Sequence, residues 1–452
     1  MIQNGYKGTY LKMNNKEIIE LKIEDMLDDG RAFGRHEGVA VFVDGGVVGD
    51  TVHAEIIKIK KSFAEARFLG IVTPSPDRIE AECPYASECG GCSLQELNYD
   101  AQIELKKNQV LSKLERIAGI ENPTVDEIIP ATNTKYYRNK ATFAVGPHGE
   151  VGFYKNKTHF VMDIEDCILQ SDPAVACADA LRRFLDGKAS CIRQMVVKTA
   201  FGTGEVMVVL ESDKKDIPEI EKLVDMLDES LEYTLCSVAV INNNKCKIIA
   251  GKATITDELI AGDDKTLQFE IGSQSFYQVN SEQMTRLYQK ATEYAELTGH
   301  ETVLDLYCGI GTIGLFMSDQ AEQIIGIESV KPAVIDANRN AVINGIINAR
   351  YFAGKAEEIL PEILNGEKDI NVDSVDVAIV DPPRAGCDEA LIHTLASAKA
   401  RRIVYVSCDA GTLARDIKYL TANGYKFDRI SIVDQFPWTN HIETVCLLDN
   451  EN

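Results

Sequence analysis

Two apolar runs late in the chain, Val375–Val380 and Ile403–Val406, each stop on residues that carry chemistry. Asp381-Pro382-Pro383-Arg384 follows the first and Ser407-Cys408-Asp409 the second. Runs this short and this apolar read as strands of a parallel sheet covered on both faces. In an open α/β sheet, ligands collect at the carboxyl ends of the strands. An acid, a rigid Pro-Pro turn and a thiol at two such ends therefore face one crevice. Cys408 is a candidate nucleophile; the alternative is one more small buried hydrophobe, the usual role of an intracellular cysteine.

Val303-Leu304-Asp305-Leu306 followed by Tyr307-Cys308-Gly309-Ile310-Gly311-Thr312-Ile313-Gly314 reads as strand, glycine turn and helix start, with helical period from Thr312 to Ala321. Glycines let a backbone approach a ligand closely, and a helix N-terminus adds free amide donors. Gly309, Gly311 and Gly314 spell G-x-G-x-x-G, and Glu328 closes the next strand where a ribose-binding acid belongs, so a nicotinamide enzyme is a rival reading. Asp305, inside the strand just before the glycines, suits a cationic cofactor better than a pyrophosphate. S-adenosylmethionine, with its sulfonium, ammonium and ribose hydroxyls, fits the acids better.

Four segments carry a family resemblance: Ser407-Cys408-Asp409-Ala410-Gly411-Thr412-Leu413-Ala414-Arg415-Asp416, Asp381-Pro382-Pro383-Arg384, Asp305-Leu306-Tyr307-Cys308-Gly309 and Phe276-Tyr277-Gln278-Val279-Asn280. Over nearly its whole length the chain resembles the RNA (uracil-5-)-methyltransferases. It is most similar to the 23S rRNA branch that carries an iron–sulfur cluster and an N-terminal TRAM domain. The resemblance implies an α/β fold with a Rossmann-like class I methyltransferase domain and an activity that turns a uridine of 23S rRNA into 5-methyluridine. It assigns Cys408 as nucleophile and Gln278, Tyr307, Glu328 and Asp381 to S-adenosylmethionine. His441-Ile442-Glu443-Thr444-Val445 is similar to the family's H-x-E-T-V signature, whose glutamate, matching Glu443, removes a proton. His441 is read as a packing or hydrogen-bonding residue.

The chemistry explains the need for such groups. Carbon 5 of uracil is a poor nucleophile, but addition of a thiolate to carbon 6 makes the ring an enolate and places electron density on carbon 5. That carbon then takes a methyl group, a carboxylate removes its proton, and elimination of the thiolate frees the product. A cysteine is mostly thiol at pH 7, so Cys408 needs activation, and the start of a helix over Thr412–Leu420 is the expected source of positive potential.

Cys83, Cys89 and Cys92 fall as C-x5-C-x2-C around Gly90-Gly91, and Cys167 can add a fourth thiolate from a distance. Four thiolates suit zinc or an iron–sulfur centre, and spacing does not choose between them. A disulfide is disfavoured, because nothing at the N-terminus reads as a secretory signal. The resemblance implies a [4Fe-4S] cluster on these four cysteines, structural or RNA-positioning in role. The other cysteines read as core filler, apart from Cys308 in the cofactor loop.

The length allows roughly three domains. Short alternating runs broken at Asp28-Asp29-Gly30, Asp44-Gly45-Gly46 and Gly49-Asp50 point to a small antiparallel barrel. The resemblance identifies residues 14–73 as an OB-like TRAM barrel, with Lys58, Lys60, Lys61 and Arg67 as phosphate contacts. Residues 74–275 read as an α+β domain, opening on a helical stripe from Leu94 to Ile117, and residues 276–452 as the methyltransferase domain. Tyr136-Tyr137-Arg138-Asn139-Lys140, with Lys155 and Lys157, mixes aromatics and cations as single-stranded RNA sites do. No apolar span is long enough to cross a membrane as a helix, and a cytoplasmic enzyme is expected.

With 47 basic and 70 acidic residues the net charge is −23, the wrong sign for tight binding to bulk RNA. Local patches and an extruded target base must supply the affinity, and a structured, single-stranded RNA loop is the expected partner. Three other classes stay open. A tRNA (uracil-5-)-methyltransferase shares the catalytic set, an amino-methyltransferase would use the Asp-Pro-Pro turn without Cys408, and a non-catalytic RNA-binding iron–sulfur protein would keep only the fold.

Overall fold

The computed structural model describes residues 13–451, apart from 28, 263, 264, 369, 371 and 373, so Asp28 of the first expected turn lies outside the described residues. The chain divides into two compact units. One comprises the residues up to Ser87 together with Cys92–Lys106 and Trp438–Asn440; the other comprises Glu88–Gly91, Lys107–Pro437 and His441 onward.

In the first unit, strands Ile18–Met26, Ala32–His36, Val39–Val43, Phe63–Thr73 and Thr51–Ile59 close, in that spatial order, into a barrel. Strict alternation builds it. Leu21, Ile23, Val41, Val43, Val52 and Ile56 point inward with the small Ala32, Ala54 and Ala64, so large and small side chains interleave in a narrow lumen. Each fully buried aliphatic side chain is worth about 1.5–3 kcal/mol. Asp50 closes one end: fully buried, it accepts from Val47 N and Ser75 N at 2.8 Å and from Arg78 Nη2 at 2.7 Å.

The second unit is built on an eight-stranded sheet. Its spatial order is Ala349–Ala353, Gln323–Glu328, Thr302–Leu306, Val377–Val380, Arg402–Ser407, Glu443–Asn450, Tyr425–Val433 and Ile128–Ile129. The first five strands are parallel, and Glu443–Asn450 is antiparallel to both of its neighbours. Both faces are covered. Val303, Ile324, Ile379 and Val404 pack on one side with Met284, Leu287 and Tyr288 of the Ser281–Ala295 helix. Leu304, Ile325, Val380 and Ile403 pack on the other with Leu360, Leu391 and Ile417 of later helices. Continuous apolar runs are the pattern that such a sandwich requires.

The same unit holds a seven-stranded sheet running from Lys245–Gly251 to Val161–Asp163, covered by helices Asp172–Leu185 and Ile220–Glu229. A hairpin of Thr254–Ile260 and Thr266–Gly272 delivers the chain to Gln278. Two expected helices are shorter than their apolar periods. The Leu94–Ile117 stripe begins in a loop, and helix starts only at Tyr99, where Asn98 Oδ1 accepts from Ala101 N at 2.9 Å. The helix after the glycine turn is Thr312–Phe316, followed by a 3₁₀ turn at Ser318–Gln320.

Candidate active site

The turn after Thr302–Leu306 is tight. Tyr307, Gly309 and Gly311 have φ of 59°, 55° and 84°, all left-handed, which glycine adopts freely and tyrosine does not. A Cβ on Gly311 would stand 2.8 Å from the ring of Tyr351. Asp305 is fully buried beneath this turn; its Oδ2 accepts from Gly314 N at 3.0 Å, while Oδ1 has no partner. Burial pushes its carboxyl up to about 7, against the Gly314 bond and with Asp381 and Glu328 adding repulsion. Glu328 ends the neighbouring strand, and Gly309 N and Val330 N hold its two oxygens at 3.2 and 2.8 Å. Gln278 is buried, and its carbonyl accepts from Asn139 Nδ2 at 2.8 Å. Asp381 follows Val377–Val380, and burial raises its carboxyl to about 7.

Ser407 pairs with Thr444 across the antiparallel strands, and Thr444 Oγ1 donates to Ser407 O at 3.1 Å. The residues flanking that pair, Cys408 and Glu443, therefore meet at one end of the sheet. Glu443 is 3% exposed and its Oε2 has no partner. Burial pushes its carboxyl well above the usual range, Asp381 adds to this, and Arg384 opposes it. The Cys408 thiol is pushed up to about 12 by burial, then by Glu443 and Asp381, again with Arg384 in opposition.

The expected activation of Cys408 by a helix start is not found. The helix is Ala410–Ala422, and its cap, Asp409, takes the bonds of Gly411 N and Thr412 N on Oδ1 at 2.9 and 2.8 Å. An anion satisfies the free amides, so the positive end is already engaged. Arg384 is the cation that acts on both the thiol and Glu443, a role the sequence signalled only as the last residue of the Asp-Pro-Pro-Arg turn. Thr412 Oγ1 donates to its carbonyl at 3.2 Å, and its Nη2 lies 3.0 and 3.1 Å from the two ring nitrogens of His441.

A thiol and a carboxyl group thus meet at one strand end, beside buried acids and a glycine turn. Residues 98–451 match the tRNA (uracil-5-)-methyltransferase family. The chain belongs to that family. Residues 12–69 match the TRAM domain, which is the closed barrel. Uncharacterized RNA methyltransferases from Halalkalibacterium halodurans and Listeria monocytogenes are 38% and 40% identical. These alignments cover 97% and 98% of this chain and 98% and 99% of theirs. A solved Pyrococcus abyssi tRNA (uracil-54, C5)-methyltransferase, in complex with S-adenosyl-L-homocysteine, is 29% identical with a TM-score of 0.73, over 95% of this chain and 99% of that one. The protein is thus an S-adenosylmethionine-dependent RNA methyltransferase of the uracil-5 family with an RNA-binding TRAM barrel.

The methyltransferase's expected RNA stretch is largely internal. Tyr137 is buried with its hydroxyl on Pro437 O at 3.1 Å, and Asn139 is buried against the Gln278 segment, donating to Gln278 O and Val279 O. Burial also lowers the pKa of Lys140, and Lys155 is ion-paired with Glu88; Tyr136 keeps 45% exposure. Alternate side chains of the segment, Tyr137 and Asn139, face inward, and Asn139 holds the Gln278 segment in place. Lys58, Lys60 and Lys61 are exposed, and Arg67 lies 3.5 Å from Glu55. Beside them the barrel shows what charge counting missed. Phe33, Phe42 and Phe63 line its outer face, with centroids 5.6 and 5.3 Å apart, and Arg31 and Arg35 stand 5.4 Å over Phe42 and Phe33.

Cys83, Cys89, Cys92 and Cys167 are half-buried and none is in a disulfide. Cys83 and Cys92 line one open pocket of about 920 Å³ in the barrel unit. Among the described residues no three His, Cys, Asp or Glu side chains are drawn together as metal ligands would be. Nor, among them, is any helix long and apolar enough to cross a membrane.

Because the folded Asp381 carboxyl holds its proton to about pH 7, ionising it destabilises the unliganded fold. Asp381→Asn is expected to raise the melting temperature at pH 8 and to leave it unchanged at about pH 3, below the ordinary carboxyl value, where the unfolded chain also keeps this proton. Thermal melts at both pH values check this.

Proposed function

We propose that the protein methylates carbon 5 of a uridine in 23S rRNA, in the cytoplasm, through covalent addition of Cys408. The carrying observation is the register that sets Cys408 and Glu443 at one strand end beside Asp381. Gln278, Tyr307, Glu328 and Asp381 are assigned to S-adenosylmethionine, which supplies the methyl group. The donor chemistry of the site fits it: an unpartnered Asp305 oxygen and two further strand-end acids surround the place of a cation. Cys408 adds to carbon 6, carbon 5 takes the methyl, Glu443 removes the carbon 5 proton and the Cys408–carbon 6 bond breaks. A thiol held near 12 at rest guards against stray alkylation, and Arg384 is the group that favours its thiolate.

A second reading, tRNA as substrate, is favoured by one observation: the Pyrococcus abyssi tRNA enzyme matches nearly the whole chain, barrel included. The cysteine set supports the ribosomal reading, and a [4Fe-4S] cluster on Cys83, Cys89, Cys92 and Cys167 is proposed on the resemblance to the ribosomal branch, since spacing alone suits zinc equally. Its assembly requires the four thiols to be brought together, and no chemical step runs through it. The aromatic ladder on the barrel, next to the Lys60-Lys61 turn that leads into Phe63, is proposed as the surface on which unpaired bases stack.

With carbon-5-tritiated transcripts, tritium release and 5-methyluridine are expected from 23S rRNA fragments. Cys408→Ala should abolish both. Glu443→Gln should accumulate a protein–RNA adduct that survives denaturing gels, because elimination needs the proton it no longer removes. Release from tRNA alone would overturn the substrate. Anaerobically purified protein is expected to contain about four irons and four sulfides per chain by chemical analysis; zinc without iron would sink the cluster. In RNA titrations, Phe42→Ala should weaken binding at least about fivefold with the salt slope unchanged, whereas Lys60→Ala with Lys61→Ala should flatten that slope.

A further inference from the structure

Gln435 is fully buried, yet neither its Nε2 nor its Oε1 has a hydrogen-bond partner. A buried carboxamide left unpaired bears the full cost of its lost hydration, so such groups are rare in native folds and point to a missing ligand. The backbone of Gln435 is pinned beside the strand that carries Glu443. Its N donates to Val433 O at 3.0 Å, and Val433 pairs across the sheet with Glu443. Its carbonyl accepts from Asn280 Nδ2 at 3.3 Å, and Asn280, two residues beyond Gln278, caps the helix Ser281–Ala295. Gln435 thus stands between the segment that carries Gln278 and the strand that carries Glu443, whose own Oε2 is also unpartnered.

We propose that Gln435 reads the imide edge of the target uracil. Its Oε1 accepts from the base N3–H and its Nε2–H donates to O4, a side-by-side donor and acceptor that matches the side-by-side groups of the base. The second bond also serves the chemistry, because negative charge builds on O4 when Cys408 adds to carbon 6, and a donor already in place stabilises it. This rests on the uracil reading above and names the residue that selects the base. No role for Gln435 is visible in the sequence, where it is one polar residue between Asp434 and Phe436.

The test uses the RNA fragment that the intact enzyme methylates fastest, synthesised with uridine or 3-deazauridine at the target position. The latter replaces N3–H by C–H and carries O4 as a hydroxyl, so it presents neither the donor nor the carbonyl acceptor that Gln435 would read. In a Cys408→Ala background, uridine should bind at least about tenfold tighter than 3-deazauridine. Adding Gln435→Leu should bring the ratio to about one, with S-adenosylhomocysteine affinity unchanged by calorimetry. A ratio that persists in the Leu variant overturns the proposal. Gln435→Met, with Cys408 intact, keeps the length and bulk of the side chain and loses both polar atoms. Its single-turnover rate should fall at least about tenfold, and an unchanged rate overturns the proposal even where the Leu variant does not fold. An intact enzyme that methylates no uridine in any fragment defeats the uracil reading itself, and this inference with it.

Discussion

The site depends on the pairing of Arg402–Ser407 with the antiparallel strand Glu443–Asn450. Side chains alternate with a period of two, so a slip of one residue would turn the Glu443 carboxylate to the opposite face and leave Cys408 without it. Burial of both strands prevents the slip: Val404, Val406, Val445 and Leu447 pack into one core, and Ile403, Tyr405, Cys446 and Leu448 into the other. Two hydrophobic layers thereby hold a thiol and a carboxyl group in register at the ends of two interior strands.

The same burial sets the electrostatics. Asp305, Asp381, Glu443 and Cys408 are all pushed toward their protonated forms by loss of water, and each acid reinforces this in a neighbour. Arg384 opposes it at both the thiol and Glu443. Such a site is poorly stabilised when empty and suits a cation: positive charge entering it relieves repulsion that the fold otherwise bears. Unpartnered oxygens on Asp305 and Glu443 and the unpaired carboxamide of Gln435 belong to the same description of an enclosure built for something polar.

Much of this was legible in the chain. The apolar runs at Val303, Val377 and Ile403 became central strands, and Asp381, Cys408 and the glycine turn lie at their carboxyl ends because parallel strands share a direction. The barrel was legible from alternation. Other features were not. Tyr137 and Asn139 read as a stacking surface and are buried supports of the Gln278 segment, because composition does not report which face of a strand is covered. The promise of the helix start beside Cys408 was cancelled by Asp409, one residue away, whose cap bonds only a structure shows. The outward aromatics of the barrel were passed over because Phe33, Phe42 and Phe63 are far apart in sequence and meet only when the barrel closes.

The sequence by itself determined the fold class, the strand ends at which a thiol and acids gather, and membership of the uracil-5 methyltransferase family. These follow from periodicity and from contiguous motifs, which are local properties of a chain. Tertiary structure decided which groups face each other: Glu443 against Cys408, Arg384 against both, and Gln435 between the elements that bear Gln278 and Glu443. It also decided their proton affinities, because those depend on desolvation and on neighbours brought from dozens or hundreds of residues away, which no local pattern encodes.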